Sequence, residues 1–168
     1  MAEFTNAALQ TVASNQNVIL TETPVCPSRC IVHREGSGIV TLRGLTNQCK
    51  ARFRVTFGGN VALPAGGTAG PISIALAIAG EPLPASVAIV TPAAAEQFFN
   101  VNIDTFIDVP AGCCVTVAVE NTSGGNISMQ NANLIVTREA EERRRNNERF
   151  VQPERNALPG VGRAFPEG

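Results

Sequence analysis

The chain has 168 residues, 44% hydrophobic and 16% charged, with a formal net charge of -1. That length suits one domain with a buried core, and the apolar fraction excludes a disordered chain. The near-zero charge gives no field to draw the chain to nucleic acid or an anionic membrane, and no run of about 18 apolar residues offers a membrane span.

The opening MAEFTNAALQ lacks a basic start followed by an apolar block, so no signal peptide is expected and synthesis in a cytoplasm is. Residues 1–16 are rich in Asn, Thr, Gln and Ala. Phe4, Ala8 and Val12 can share a helical face, but a thin one, so the segment is expected to be an N-terminal arm anchored by Phe4.

Asn17 to Thr23 reads as a first strand, ended by Pro24. Ile39 to Leu45 and Ala51 to Phe57 read as the second and third. In the third, Phe53, Val55 and Phe57 alternate with Arg52, Arg54 and Thr56, the two-residue period of a strand with one buried face. Gly58-Gly59-Asn60 and residues 64–71 read as loops or a bulged turn. In the strand Ile72 to Ile78, Ile72, Ile74, Leu76 and Ile78 form a bulky face. Ser73, Ala75 and Ala77 form a small, flat one that suggests cover by a second chain or by a returning segment. Ser86 to Val90 is a short strand, and Pro92 to Gln97 suits one helical turn.

Phe99 to Val109 alternates almost strictly, with Asn100, Asn102, Asp104 and Asp108 outward and Phe106 breaking their row as an exposed or interface aromatic. The stretch Gly112 to Glu139 then reads as two strands joined by the turn Asn121–Asn126, where Gly and Asn accept positive φ. The spacing near 8–12 residues and the lack of intervening helices predict an all-β, eight-stranded antiparallel jelly-roll sandwich over residues 17–138, with an immunoglobulin-like sandwich as alternative.

Residues 139–168 hold 12 of the 27 charged side chains, six acidic and six basic, and read as a C-terminal arm. Glu139 to Phe150 suits a short helix, with Glu139/Arg143 and Glu141/Arg145 four apart. Phe150, Val151, Leu158, Val161 and Phe165 are spaced as anchors of a frayed tail or of an arm docked on a neighbouring subunit.

Little in the chain points to catalysis. The single histidine, His33, has no nucleophile in a recognisable context, and GGTAG at 66–70 lacks the Lys of a phosphate-binding loop. Asp104 and Asp108 share a strand face but stand about 13 Å apart at 3.3 Å per residue, too far for a carboxylate dyad. No enzymatic activity and no cofactor are expected. The five cysteines, Cys26, Cys30, Cys49, Cys113 and Cys114, leave three options open: reduced structural thiols, zinc ligands near His33, or cross-links formed after release. The absence of Trp and Tyr argues against a sugar-stacking site.

NTSGGNISMQNANLIVTRE resembles the last hairpin of tumour-necrosis-factor-like jelly rolls, and IDVPAGCCVTVAVEN the strands before it. More closely, residues 18–138 resemble short structural proteins of Firmicutes phages and prophages, through CIVHREGSGIVTLRGL, CKARFRVTFGGN, GPISIALAIAGEPL, IVTPAAAEQFFNV and FIDVPAGCCVTVAVENTS. The resemblance implies a virion auxiliary protein, made in the host cytoplasm. It implies a trimer that decorates a head, with the major capsid protein or another virion protein as partner. Ser73, Ala75, Ala77 and Phe106 are then the expected oligomer contacts. A spore-surface or appendage subunit held by inter-chain cysteine bridges, and a receptor- or glycan-binding knob, are the alternatives.

Overall fold

The computed structural model of the protein describes residues 1–139. The expected C-terminal helix beyond Glu139 and the anchors Phe150, Val151, Leu158 and Phe165 lie outside the described residues.

Twelve strands are formed among the described residues: β1 (Ala2–Asn6), β2 (Gln10–Val12), β3 (Glu22–Val25), β4 (Ile31–His33), β5 (Ile39–Arg43) and β6 (Lys50–Ala62), then β7 (Ile72–Ile78), β8 (Glu81–Pro82), β9 (Ala88–Val90), β10 (Phe99–Pro110), β11 (Cys114–Asn121) and β12 (Ile127–Arg138). Two antiparallel sheets share them. Sheet A runs β10-β6-β12-β1-β3, with β2 also on β12; sheet B runs β4-β5-β11-β7-β8, with β9 also on β7. The sheets face each other across one core. Phe4, Phe53, Phe57 and Leu134 come from sheet A, and Leu42, Ile72, Ile74 and Leu76 from sheet B. All are at most 1% exposed, and burial of this area is the main driving force for the fold.

The expected N-terminal arm is corrected. β1 lies inside sheet A between β12 and β3, with Phe4 opposite Leu134 and fully buried. Its alternation is Ala2, Phe4 and Asn6 inward, Glu3 and Thr5 outward, and the inward amide of Asn6 is satisfied by the Ile19 carbonyl at 3.0 Å. The helical face of Phe4, Ala8 and Val12 does not form, because β1 and β2 both pair with β12.

Other expectations shift for local reasons. The strand expected at Asn17 to Thr23 is a connector bridged at Asn17 and Leu20; regular pairing starts at Glu22 and runs through Pro24, tolerated because β3 is an edge strand. Gly58-Gly59-Asn60 is no loop but the continuation of β6. A bulge in β12 between Gln130 and Asn133 faces it, with Asn131 at φ 54°. A Cβ on Gly59 would stand 2.9 Å from the Met129 sulfur, so a larger residue there would have to displace that side chain. Pro92 to Gln97 is irregular, with Glu96 at φ 60°; the helical piece among the described residues is a 3-10 turn at Pro84–Ser86. β11 and β12 are not a hairpin. β11 pairs with β5 and β7 in sheet B, and β12 with β6, β1 and β2 in sheet A, so the turn between them is a corner. Asn121, fully buried, ties that corner by donating to the carbonyls of Val12 and Gly125 at 3.0 and 2.9 Å.

If β1 is a core strand, Phe4→Ala should lower unfolding stability by about 3–5 kcal/mol, the cost of removing a buried aromatic side chain. Urea unfolding of the full chain measures it. A midpoint unchanged from wild type is what a detached arm would give.

Candidate interaction surfaces

The two outward faces differ in chemistry. On sheet A, β6 and β10 pair along their full length, so the basic row Lys50, Arg52, Arg54 meets the acidic row Asp104, Asp108. Arg52 holds Asp108 with two bonds of 2.8 and 2.9 Å, and Lys50 also donates to Asp108. Arg54 reaches diagonally to Asp104 at 2.6 Å, and Thr56 donates to the same carboxylate at 3.0 Å. The hydrogen bond from Arg54 holds the Asp104 carboxyl below its ordinary range, and bonds from Arg52 and then Lys50 do the same more strongly for Asp108. Asp104 in turn raises the Arg54 guanidinium. Asn102 donates to Asn100 at 2.7 Å and Asn100 to Asn60 at 3.2 Å, extending the polar row to the far end of the strand. Phe106 stands between the two ion pairs, directly across from Arg54 and 58% exposed.

On sheet B the outward face is aliphatic. Val32 faces Thr41, Ile39 faces Ala118, Ala118 faces Ala77, Glu120 faces Ala75, and Ser73 faces Ile89. Ile39 is 45% exposed and Ile89 64%, with Val32 and Val87 also open to water. Val32, Ile39 and Ile89 stand on β4, β5 and β9, and Val87 just before β9; they flank the central strands β11 and β7, whose outward residues here are small apart from Glu120.

The residues expected as oligomer contacts are placed differently from one another. Ala75 and Ala77 are buried within the single chain, at 0% and 2% exposure. A methyl on a central strand stands lower than longer neighbours such as Glu120 and Ile39, so it does not itself reach a partner. Ser73 is engaged by its own corner: its backbone N–H and C=O bond the Ser123 hydroxyl at 2.8 and 3.1 Å, and its hydroxyl bonds that of Thr122 at 2.7 Å. Phe106 lies on the other sheet. The aliphatic groups that do face water, Ile39 and Ile89 above all, were not singled out by their sequence. A cross-strand register is needed to see that they share a face with the alanines.

His33 ends β4. Its ring packs 4.5 Å from that of Phe4, and its Nε2 bonds the Ser37 carbonyl at 3.1 Å, which leaves Nδ1 buried without a partner. This is packing geometry. Among the described residues no three of His, Cys, Asp and Glu converge to hold a metal, so Cys26, Cys30 and His33 do not form the zinc set considered above. An open depression of about 540 Å³ lies between residues 63–68 and 124–126. Its walls are mostly glycine and other small groups with no charged side chain.

No family model matches the chain, and no curated protein matches it. Solved structures overlay on most of it at low identity. The globular domain of zebrafish complement 1qA protein gives a TM-score of 0.48 at 9% identity, over 80% of this chain and 94% of that one. A sugar-binding protein, the EclA C-terminal domain, gives 0.36 at 17%, over 79% and 80%. A family 35 carbohydrate-binding module from an environmental isolate gives 0.32 at 14%, over 83% and 98%. At these scores the overlays carry neither a family nor a ligand to this chain.

The ion pairs of sheet A make a pH prediction. Both carboxyls are depressed in the folded state, so their contribution is complete above the ordinary Asp value of about 3.9 and is lost as pH falls below it. Exposed pairs contribute only about 0.2–1 kcal/mol each. Asp104→Asn with Asp108→Asn should therefore lower stability by about 1 kcal/mol at neutral pH. In urea unfolding the gap to wild type should close toward about pH 2 and in high salt.

Proposed function

We propose that the protein is a structural subunit of a virus particle, associating with copies of itself through the outward face of sheet B and decorating the head. The observation that carries this reading is the aliphatic face around Ile39 and Ile89, both more than two-fifths exposed although flanking a central row of small residues. Exposed apolar groups that share one sheet face favour cover by a partner surface. The resemblance of residues 18–138 to phage structural proteins supplies the setting, and a trimer is the state it implies.

The contact differs from the one read from the sequence. Ala75, Ala77 and Ala118 form the floor, and Ile39, Val32, Val87 and Ile89 form the rims that meet the neighbour.

A second reading, a glycan-binding knob, is favoured by Phe106. An exposed ring with Asp104, Asp108 and Arg54 beside it offers one apolar plane and several hydrogen-bonding groups, the combination a sugar needs.

Light scattering after size exclusion, under reducing conditions, should give three times the 17.6 kDa chain mass. Ile39→Glu with Ile89→Glu should give a folded monomer with an unchanged β-type circular dichroism spectrum. A wild-type monomer at tens of micromolar would overturn the association. Peptides of this chain at stoichiometric abundance in particles released by the cell that encodes it are expected, and their absence would overturn the virion setting. For the second reading, signal on a glycan array that disappears in Phe106→Ala is the expected result.

A further inference from the structure

The strand register gathers all five cysteines at one end of the sandwich. β1 opens with Ala2 opposite Val136, and Glu3 lies opposite Val25, so Cys26 follows β3 at the Val136 end of β12. Cys30 enters β4 at the same end: its carbonyl accepts from Arg43 at 2.7 Å, and Arg138, the last residue of β12, donates to its sulfur at 3.4 Å. Cys114 lies opposite Arg43. Cys113 precedes it in the turn after β10, and Cys49 precedes Lys50, which lies opposite Pro110. The far end of the molecule, with the Gly-rich depression and the β11–β12 corner, holds none.

Four of the five, Cys26, Cys49, Cys113 and Cys114, are exposed; Cys30 is buried, and none is disulfide-bonded. They are spread over the end surface and do not converge on a metal-binding point. The surface that presents them is fixed. Gly44 donates to the Cys113 carbonyl at 2.8 Å, Gly112 to the Gly44 carbonyl at 3.0 Å and Ala111 to the Cys49 carbonyl at 3.0 Å. The two loops meet so closely at Gly44 that a Cβ there would stand 2.0 Å from the Pro110 carbonyl oxygen.

We propose that this end is a covalent cross-linking face, at which the exposed cysteines form disulfides between copies of this chain. The proposal goes beyond the association through sheet B and stands on separate residues. Each bond forms from two thiols, which release two protons and two electrons as the S–S bond closes. Dioxygen takes up the electrons and protons and becomes hydrogen peroxide, or a small-molecule disulfide takes them up and becomes two thiols. The step belongs to an oxidising environment, outside the reducing cytoplasm. Valence separates this arrangement from an incidental bridge. One outward thiol per chain can yield only a dimer, whereas several allow each chain to bridge more than one neighbour. Cys30, shielded by the fold and by Arg138, takes no part.

The test uses the full chain, purified with reductant, freed of it and held with oxidised glutathione in air. Non-reducing gels should show covalent species beyond the dimer that return to monomer with reductant, and peptide mapping should place the links among Cys26, Cys49, Cys113 and Cys114. Cys30→Ala should leave the ladder intact. A variant with all four exposed cysteines changed to Ser should lose it while keeping the wild-type circular dichroism spectrum. Iodoacetamide on the native reduced chain should label four cysteines at least ten times faster than the fifth. A chain that stays monomeric, or one oxidised only within itself and two mass units lighter per bond, would overturn the proposal. So would links that run chiefly through Cys30. Because light scattering under reducing conditions tests the sheet B association, either idea can fail without the other.

Discussion

The structure depends on β12. This strand runs the length of sheet A and pairs with β6 on one side and with β1 and β2 on the other, so two edges of the chain's history, its beginning and its middle, meet on it. Its inward side chains are Ile127 and Met129, then Ala132, Leu134 and Val136, all at most 1% exposed. That series changes from odd to even numbers. Strict alternation from Ile127 would send Asn131 and Asn133 into the core, where unsatisfied amides are costly. The bulge at Asn131, opposite the glycines of β6, absorbs one residue and resets the phase. Positive φ at Asn131 and the missing side chain at Gly59 are two halves of one local solution.

This explains why some of the fold was legible in the residues and some was not. β7 and β10 carry nearly uninterrupted alternation, and their expected limits match the observed ones to within a residue. The basic and acidic rows of sheet A were likewise visible, one on each strand, although periodicity does not reveal that they face each other. β1 was missed because its inward residues are Ala2, Phe4 and Asn6, only one of them large and one polar. Its stability comes from a strand 130 residues later, not from a local pattern. The β11–β12 turn was misread for a similar reason. A Gly/Asn-rich turn between alternating segments suits a hairpin and a corner equally well, and the choice rests on buried Asn121 bonding the β2 strand.

The two outward faces follow from how each sheet is edged. In sheet A the long strands β6 and β10 lie side by side at one margin, and their outer residues form a ladder of ion pairs and amides that water solvates well. Such a row also guards the exposed edge of β10, since charged side chains disfavour pairing with another chain. Sheet B has shorter strands, and its outward positions are mostly alanines, threonines, isoleucines and valines, with Ser73 among them and Arg43 at one end of β5. Nothing charged shares its centre except Glu120, 9% exposed beside Ala75. A face of this composition is costly in water and discriminates poorly between rotations of a flat partner. In the proposed association the exposed rims at Ile39 and Ile89 would restrict that freedom, because they would have to fit into a neighbour's contours.

Face and end lie in different directions, one along the sheet normal and the other along the strands. Copies that meet through sheet B around a cyclic axis parallel to the strands all point the same way. Every cysteine end then sits on one side of the cluster. That side also carries Met1, which precedes the pairing of Ala2 with Val136, and Glu139, whose N–H bonds the Arg52 carbonyl at 2.9 Å before the chain continues. A two-fold axis perpendicular to the strands would instead send the ends in opposite directions and divide the thiols between two sides. The proposed attachment to a particle would have all subunits offer the same end to the same support, as the parallel arrangement does. In that arrangement the thiols of neighbouring subunits share one surface with both ends of the described chain, so a lateral contact made by apolar groups would also concentrate the groups able to make it permanent.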